Sequence, residues 1–184
     1  MKQDRFKWNQ KYRKHPHPAD VTDIVKRFYH LAPGQKALDI AAGTGRHAIF
    51  LACQGFSVDA VDISEAGLAE FAGKHPNIIA VYPDLDQFKI PADRYDLIVN
   101  VKFLNRQLFP YIQEGLKPDG VVLFHTLLEP DDFKSTSKHR RDYLLRTNEL
   151  LHAFLGMRIV YYRELVDPET GGSDRTATLV GLKK

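Results

Sequence analysis

Between residues 37 and 127 the chain repeats one pattern, a short apolar run followed by a helical stretch, and this alternation restricts the fold more than any other feature. Strands that alternate with helices need crossover connections, which are right-handed and give a parallel sheet covered on both faces. The first apolar run is Ala37-Leu-Asp-Ile40. The turn Ala42-Gly-Thr-Gly45 follows, then a helical pattern through Ala48, Ile49, Leu51 and Ala52. Gly55 closes that helix as a left-handed cap.

Residues 56–61 alternate as a second strand, Ser64 caps a helix that runs to about Lys74, and residues 77–82 make a third strand. A fourth strand is expected over 95–101, a helix over 106–116, and a fifth strand over 121–127 behind the turn Lys117-Pro-Asp-Gly120. Ahead of all this, Val21, Ile24, Val25, Phe28 and Leu31 predict an amphipathic helix over 20–31, ended by Pro33-Gly34. The end of the chain changes character. After a helix over 148–155, strands over 158–166 and 175–182 flank Asp167-Pro-Glu-Thr-Gly-Gly-Ser173 with no helix between them, so they pair as an antiparallel hairpin at the sheet edge. The expected fold is α/β: a Rossmann-like, doubly wound, mostly parallel seven-stranded sheet with a C-terminal antiparallel hairpin and helices on both faces.

A chain of 184 residues has length for one core, which can bury about 70% of its unfolded surface. One domain over 1–184 is expected, with an arm or lid over 1–19 and the core over 20–184. The polar start and the lack of an apolar run near the roughly 20 residues of a membrane span predict a cytoplasmic chain without a membrane partner. The single cysteine, Cys53, permits no internal disulfide and reads as a core residue. A net charge of +3 is too small to make nucleic acid the expected partner. Positive charge does gather in the arm (Lys7, Lys11, Arg13, Lys14) and over 134–146, where it could attract an anion.

The motif with the most chemistry is Leu38-Asp-Ile-Ala-Ala-Gly-Thr-Gly-Arg46, which puts Gly43 and Gly45 where a strand hands over to a helix. Glycine admits backbone angles barred to other residues and lets a ligand lie on the main chain, while the helix start offers amides to a carboxylate. Asp62 ends the second strand about twenty residues on, placed to accept from both hydroxyls of a ribose. Asp84, in Tyr82-Pro-Asp-Leu85, follows the third strand, placed to accept from an adenine amino group. All three positions fall on the carboxyl edge of the sheet, where open α/β sheets bind ligands. A nicotinamide dinucleotide fits the same glycines and Asp62. Asp39, able to hold an ammonium group, the lack of length for a substrate domain and the terminal hairpin favour S-adenosylmethionine.

The sequence resembles the class I S-adenosylmethionine-dependent methyltransferases through residues 38–46, Val61-Asp-Ile-Ser64, Asp84-Leu85, Tyr95-Asp-Leu-Ile-Val99 and Leu116-Lys-Pro-Asp-Gly120. Within that class, Trp8-Asn-Gln-Lys-Tyr12, Phe103-Leu-Asn-Arg-Gln-Leu-Phe-Pro110 and residues 142–150 look most like the tellurite-resistance-type methyltransferases. The resemblance implies that Asp39, Gly43 and Gly45 contact the methionine part, Asp62 the ribose, and Asp84 with Leu85 the adenine, and Ala41, Arg46, Ile63 and Asn100 complete the expected cofactor-binding set. Ala41 departs from the pattern, standing where many relatives have the first glycine. A methyl group fits there where the backbone angle is negative.

Methyl transfer is an in-line displacement, so alignment of acceptor, methyl and sulfur is the main requirement. The expected acceptor is a small molecule, plausibly an anion, met by Trp8, Tyr12, Asn105, Arg106 and Arg146. His125, at the end of the fifth strand, is the candidate general base. Trp8 and Tyr12 lie four apart and share a face if the arm is helical, as a lid would need. His15-Pro-His17-Pro reads as a stiff linker, Thr147 as a helix cap, and no metal site is expected. The chain is expected to be a monomer or homodimer. Two other readings stay open: a protein that holds the cofactor without turnover, and an RNA or protein methyltransferase.

Overall fold

The computed structural model describes residues 2–14, 20–82, 88–130, 141–166 and 174–184. The arm is a helix, α1 (Lys2–Lys14), and the core enters through α2 (Asp23–Phe28), which tightens into a 3-10 turn over Tyr29–Leu31. Thr22 stands at the N-cap of α2 without capping it, because its hydroxyl is turned to His47 at 3.1 Å. Then follow β1 (Lys36–Ile40), α3 (Arg46–Cys53), β2 (Ser57–Val61), α4 (Glu65–Ala69), β3 (Ile78–Val81), β4 (Tyr95–Val101), α5 (Leu108–Gly115) and β5 (Leu116–Leu128). A short helix, α6 (Glu149–Ala153), precedes β6 (Arg158–Val166) and β7 (Arg175–Leu182). Among the described residues no helix is long and apolar enough to cross a membrane.

The sheet order is β3-β2-β1-β4-β5-β7-β6, parallel through β5, with β7 antiparallel to both β5 and β6. This is the expected seven-stranded, doubly wound sheet with its terminal hairpin. Strand order reverses between β1 and β4, which opens a crevice at their carboxyl ends. Successive residues point to opposite faces, and both faces are covered. Leu38, Ile40, Ile98, Val122 and Phe124 pack with Leu108 and Ile112 of α5 and Leu150 of α6. Ala37, Leu97, Val99, Val121 and Leu123 pack with Ile24 and Val25 of α2, Ala48 and Leu51 of α3, and Leu68 of α4.

Four local expectations are corrected. The helix after Ser64 ends at Ala69 rather than near Lys74, because Phe71 turns inward against Gly45 and Gly73 takes a φ of 74°. The fifth strand starts at Leu116, with residues 117–120 carried as a bulge: the register passes from Tyr95↔Leu116 to Leu97↔Val121, and Asp119 sits at φ 61°. The N-cap of α6 is Asn148, not Thr147, and its amide donates to Glu164 Oε1 at 2.6 Å. Cys53, expected in the core, is exposed.

Candidate active site

β1 delivers Asp39 beneath the glycine turn, where it is almost fully buried and accepts from the Ala48 amide at 3.1 Å. One of the unpaired donors in the first turn of α3 is thus satisfied by the strand behind it. Burial pushes the Asp39 carboxyl from 3.8 up to about 7, opposed by the Ala48 amide and the nearby Arg46 charge. His47 Nδ1 lies 4.0 Å from Asp39 Oδ1, and His47 Nε2 takes the Thr22 amide at 3.4 Å. An amide can only donate, so the ring proton of the neutral His47 belongs on Nδ1, facing Asp39. Burial, then the Arg46 charge, moves His47 down to about 3, which keeps it neutral.

The turn itself uses its glycines differently. Gly43 and Gly45 both have positive φ, 58° and 81°. A Cβ on Gly45 would meet the Phe71 ring at 2.4 Å, so that gap is filled by the core. A Cβ on Gly43 would meet the Tyr12 hydroxyl at 2.7 Å, so that gap opens toward the arm. Ala41 has φ 55°, the left-handed region and not the negative angle that suits a methyl group.

Asp62, at the end of β2, is 4% exposed. Its Oδ2 accepts from the Gly43 amide at 2.8 Å and its Oδ1 from the Ser64 amide at 2.7 Å, which leaves lone pairs on both oxygens for further donors. Burial raises its pKa, and the two amides work against that rise.

A cavity of about 280 Å³ lies over these groups. Of the residues predicted from the sequence, Trp8, Tyr12, Ala41, Gly43, Arg46, Asp62 and Ile63 line it. The arm lines one side of it: the Trp8 and Tyr12 rings stack at 5.7 Å, with Lys11 Nζ 4.4 Å from the Trp8 ring centroid. Lys11, Thr44, His47, Val101, Lys102 and Phe103 also line it and were not singled out from the sequence. The helical spacing that marked Trp8 and Tyr12 also reaches Lys11, but nothing local marks His47 or Lys102. Lys102 has φ 57°, and its amide donates to the His125 carbonyl at 2.7 Å.

Other predicted residues stand back from the cavity. Asn100 is buried and donates to the Phe103 carbonyl at 2.8 Å, shaping the turn after β4. His125 is buried on β5 with Nδ1 2.9 Å from Thr178 Oγ1 of β7. Arg106 is a clamp: it pairs with Glu149, and its Nη1 and Nη2 donate to the carbonyls of Asp142 at 3.1 Å and Leu144 at 2.8 Å. Asn105 accepts from the Gln107 amide at 3.0 Å, and the exposed Arg146 gives its amide to Glu149 at 2.8 Å. Asp84, Leu85 and the His15–His17 linker lie outside the described residues. Among the described residues no group of three or more His, Cys, Asp or Glu is arranged to hold a metal.

Comparison with known proteins gives the family and the fold. The sequence model of the family described as "Tellurite resistance protein TehB" matches residues 1–176. A curated relative from Geobacillus sp. (strain WCH70), named "Putative methyltransferase", is 32% identical over 124 residues, 59% of this chain and 50% of the relative. The match thus spans about half the length of that relative. The crystal structure of TehB from Haemophilus influenzae superposes with a TM-score of 0.75 at 23% identity, covering 96% of this chain and 67% of the other. Phosphoethanolamine N-methyltransferase 2 of Haemonchus contortus, solved with S-adenosyl-L-methionine, gives a TM-score of 0.73 at 17% identity, covering 100% of this chain and 57% of the other.

Proposed function

The chain belongs to the tellurite resistance protein TehB family, and from that premise we propose that it is an S-adenosylmethionine-dependent methyltransferase acting in line on a small acceptor. The observation that carries this reading is Asp62: a buried carboxylate at the cavity wall, fixed by two main-chain amides, with acceptor capacity left over. Such a group suits a vicinal diol, which presents two donors at once. The other groups fit the remaining parts of the cofactor. Arg46 suits its carboxylate and Asp39 its ammonium, while the bare backbone at Gly43 admits close approach. By family resemblance the adenine falls to Asp84 and Leu85, beside Ile63, with Gly45 and Asn100 supporting the walls.

When bound, the cofactor supplies a methyl group on a positive sulfur, an electrophile that needs alignment more than activation. The chain's own residues provide that alignment. Trp8, Tyr12 and Phe103 wall the cavity and exclude water from it. Among the described residues, Lys11, Arg46 and Lys102 bring three positive charges to a cavity lined by one acid, Asp62, which favours a small anionic acceptor over a cation. An acceptor that arrives ionised requires no base, which agrees with His125 being held against Thr178. The expected chain is cytoplasmic, a monomer or homodimer.

Calorimetry with S-adenosylmethionine and S-adenosylhomocysteine tests the reading. Both should bind the parent chain, and Asp62→Ala should bind each about 100-fold more weakly. A parent chain that binds neither would overturn it.

A further inference from the structure

The arm does more than line the cavity, because one of its side chains is hydrogen-bonded to the start of α4, next to Asp62. Helical spacing puts Arg5, Trp8, Asn9 and Tyr12 on one face of α1. Arg5 lies 3.8 Å from Glu65 at the start of α4, and Tyr12 sits over the place where α4 meets the glycine turn. A Cβ on Gly67 would come within 2.7 Å of the Gly43 carbonyl oxygen and 3.1 Å of the Tyr12 ring. Two residues without side chains therefore make the slot that receives Tyr12.

Asn9 occupies the centre of this contact. Its Oδ1 accepts from the Ala66 amide at 3.0 Å and from the Ser64 hydroxyl at 2.7 Å. The Ala66 amide can only donate, so the Asn9 atom facing it must be the oxygen. Ser64 Oγ in turn accepts from the Gly67 amide at 3.2 Å, which sends its proton to Asn9. The Ser64 amide donates to Asp62 Oδ1, and Asp62 Oδ2 takes the Gly43 amide. The result is one continuous chain from the arm to the glycine turn: Asn9, Ser64, Asp62, Gly43. Ser64 is fully buried and Asp62 nearly so, and a closed network in such surroundings loses orientation when one member is removed.

We propose that Asn9 is a positioning residue for Asp62, acting through Ser64, and that it couples seating of the arm to cofactor affinity. This rests on the cofactor reading above. Asn9 touches no ligand in this role. It holds the first turn of α4 so that the Ser64 amide keeps one Asp62 oxygen and leaves the acid aimed along the cavity wall. Coupling of this kind is reciprocal, so bound cofactor must also hold the arm down.

The test uses the full chain, Asn9→Ala, the isosteric Asn9→Asp, and Gln10→Ala as an exposed control on the same helix. Two quantities are read: S-adenosylhomocysteine affinity by calorimetry, and amide hydrogen exchange in α1 and α4 with and without that ligand. Asn9→Ala should weaken binding about fivefold, the scale of one lost capping acceptor. It should also lose the ligand-induced slowing of exchange in α1 that is expected of the parent. Asn9→Asp keeps an acceptor for both donors and should restore both readouts, and Gln10→Ala should match the parent. Parent-like binding by Asn9→Ala overturns the inference, as does an Asn9→Asp variant as weak as Asn9→Ala, which would reduce Asn9 to packing. A parent chain that binds no ligand overturns the cofactor reading and the coupling together.

Discussion

The carboxyl edge of the sheet has two halves built by different means. At the ends of β1 and β2, Asp39 and Asp62 are both held by main-chain amides, those of Ala48, Gly43 and Ser64. At the ends of β4 and β5, the polar side chains of Asn100 and His125 are fixed instead by the Phe103 carbonyl and by Thr178 from β7, and the exposed Lys102 reaches the cavity from a left-handed turn. The first half is assembled from the backbone of one strand–turn–helix unit and its neighbour, and the arm braces it through Asn9. The second half draws on side chains and strands far apart in the chain. Under the proposed function, the half held by main-chain amides meets the cofactor and the other half meets the acceptor.

The sharpest way to break this comparison is to remove one polar side chain from each kind of surrounding. Asp62→Ala should lower S-adenosylhomocysteine affinity by about 100-fold, since it deletes charged hydrogen bonds and leaves two amides without their acceptor. His125→Asn should leave that affinity within about twofold of the parent, because His125 is turned to Thr178. If calorimetry gives both variants the same loss, the two halves are not separable.

A second, smaller effect is pH dependence confined to the first half. Asp39 is raised from 3.8 to about 7 in the folded chain, so the stability tied to its neutral form is fully present below about pH 4 and is lost as pH climbs through about 7. The melting temperature of the ligand-free chain should fall across that window. An ammonium group favours the ionised acid, so S-adenosylhomocysteine should bind about tenfold tighter at about pH 8 than at about pH 6. Neutral His47, Arg46 and the raised Asp62 surround Asp39, and His47 adds no step in this range, being held down to about 3. Asp39→Asn should flatten both profiles; profiles that keep their slopes would locate the titration elsewhere.

The same contrast explains what could be read from the sequence. The alternation of strands and helices, the hairpin and the placement of Gly43, Asp62 and Arg46 were legible because they rest on spacing within one or two elements. Asn9 was not, because its partners Ser64 and Ala66 lie 55 and 57 residues away and only the folded chain brings them together. His47 was hidden likewise, its partner Thr22 being 25 residues off. Arg106 looked like a free cation for an acceptor, but its partners, 36 to 43 residues along, make it a brace. Arg106→Ala should lower stability by about 1–2 kcal/mol, a melting shift of about 2–6 °C, and leave S-adenosylhomocysteine affinity unchanged. A large affinity loss without a melting shift would return Arg106 to the acceptor half.

The smallest expected effect comes from Ala41, which tests how rigid the first half is. Its φ of 55° costs an L-residue about 1–2 kcal/mol. Replacing it with glycine relieves that strain, but the unfolded chain gains freedom worth about 0.4–1 kcal/mol, and a half-buried methyl group gives up about 0.4 kcal/mol of apolar contact. These terms leave Ala41→Gly ahead by roughly 0.5 kcal/mol, or a melting temperature higher by about 1–2 °C. The methyl group lines the cavity, so its removal should also tighten S-adenosylhomocysteine binding, by no more than about threefold. A lower melting temperature would mean that the methyl group packs more firmly than its partial exposure indicates. The left-handed turn would then be held by side-chain contact, as on the other side of the crevice, rather than by the backbone alone.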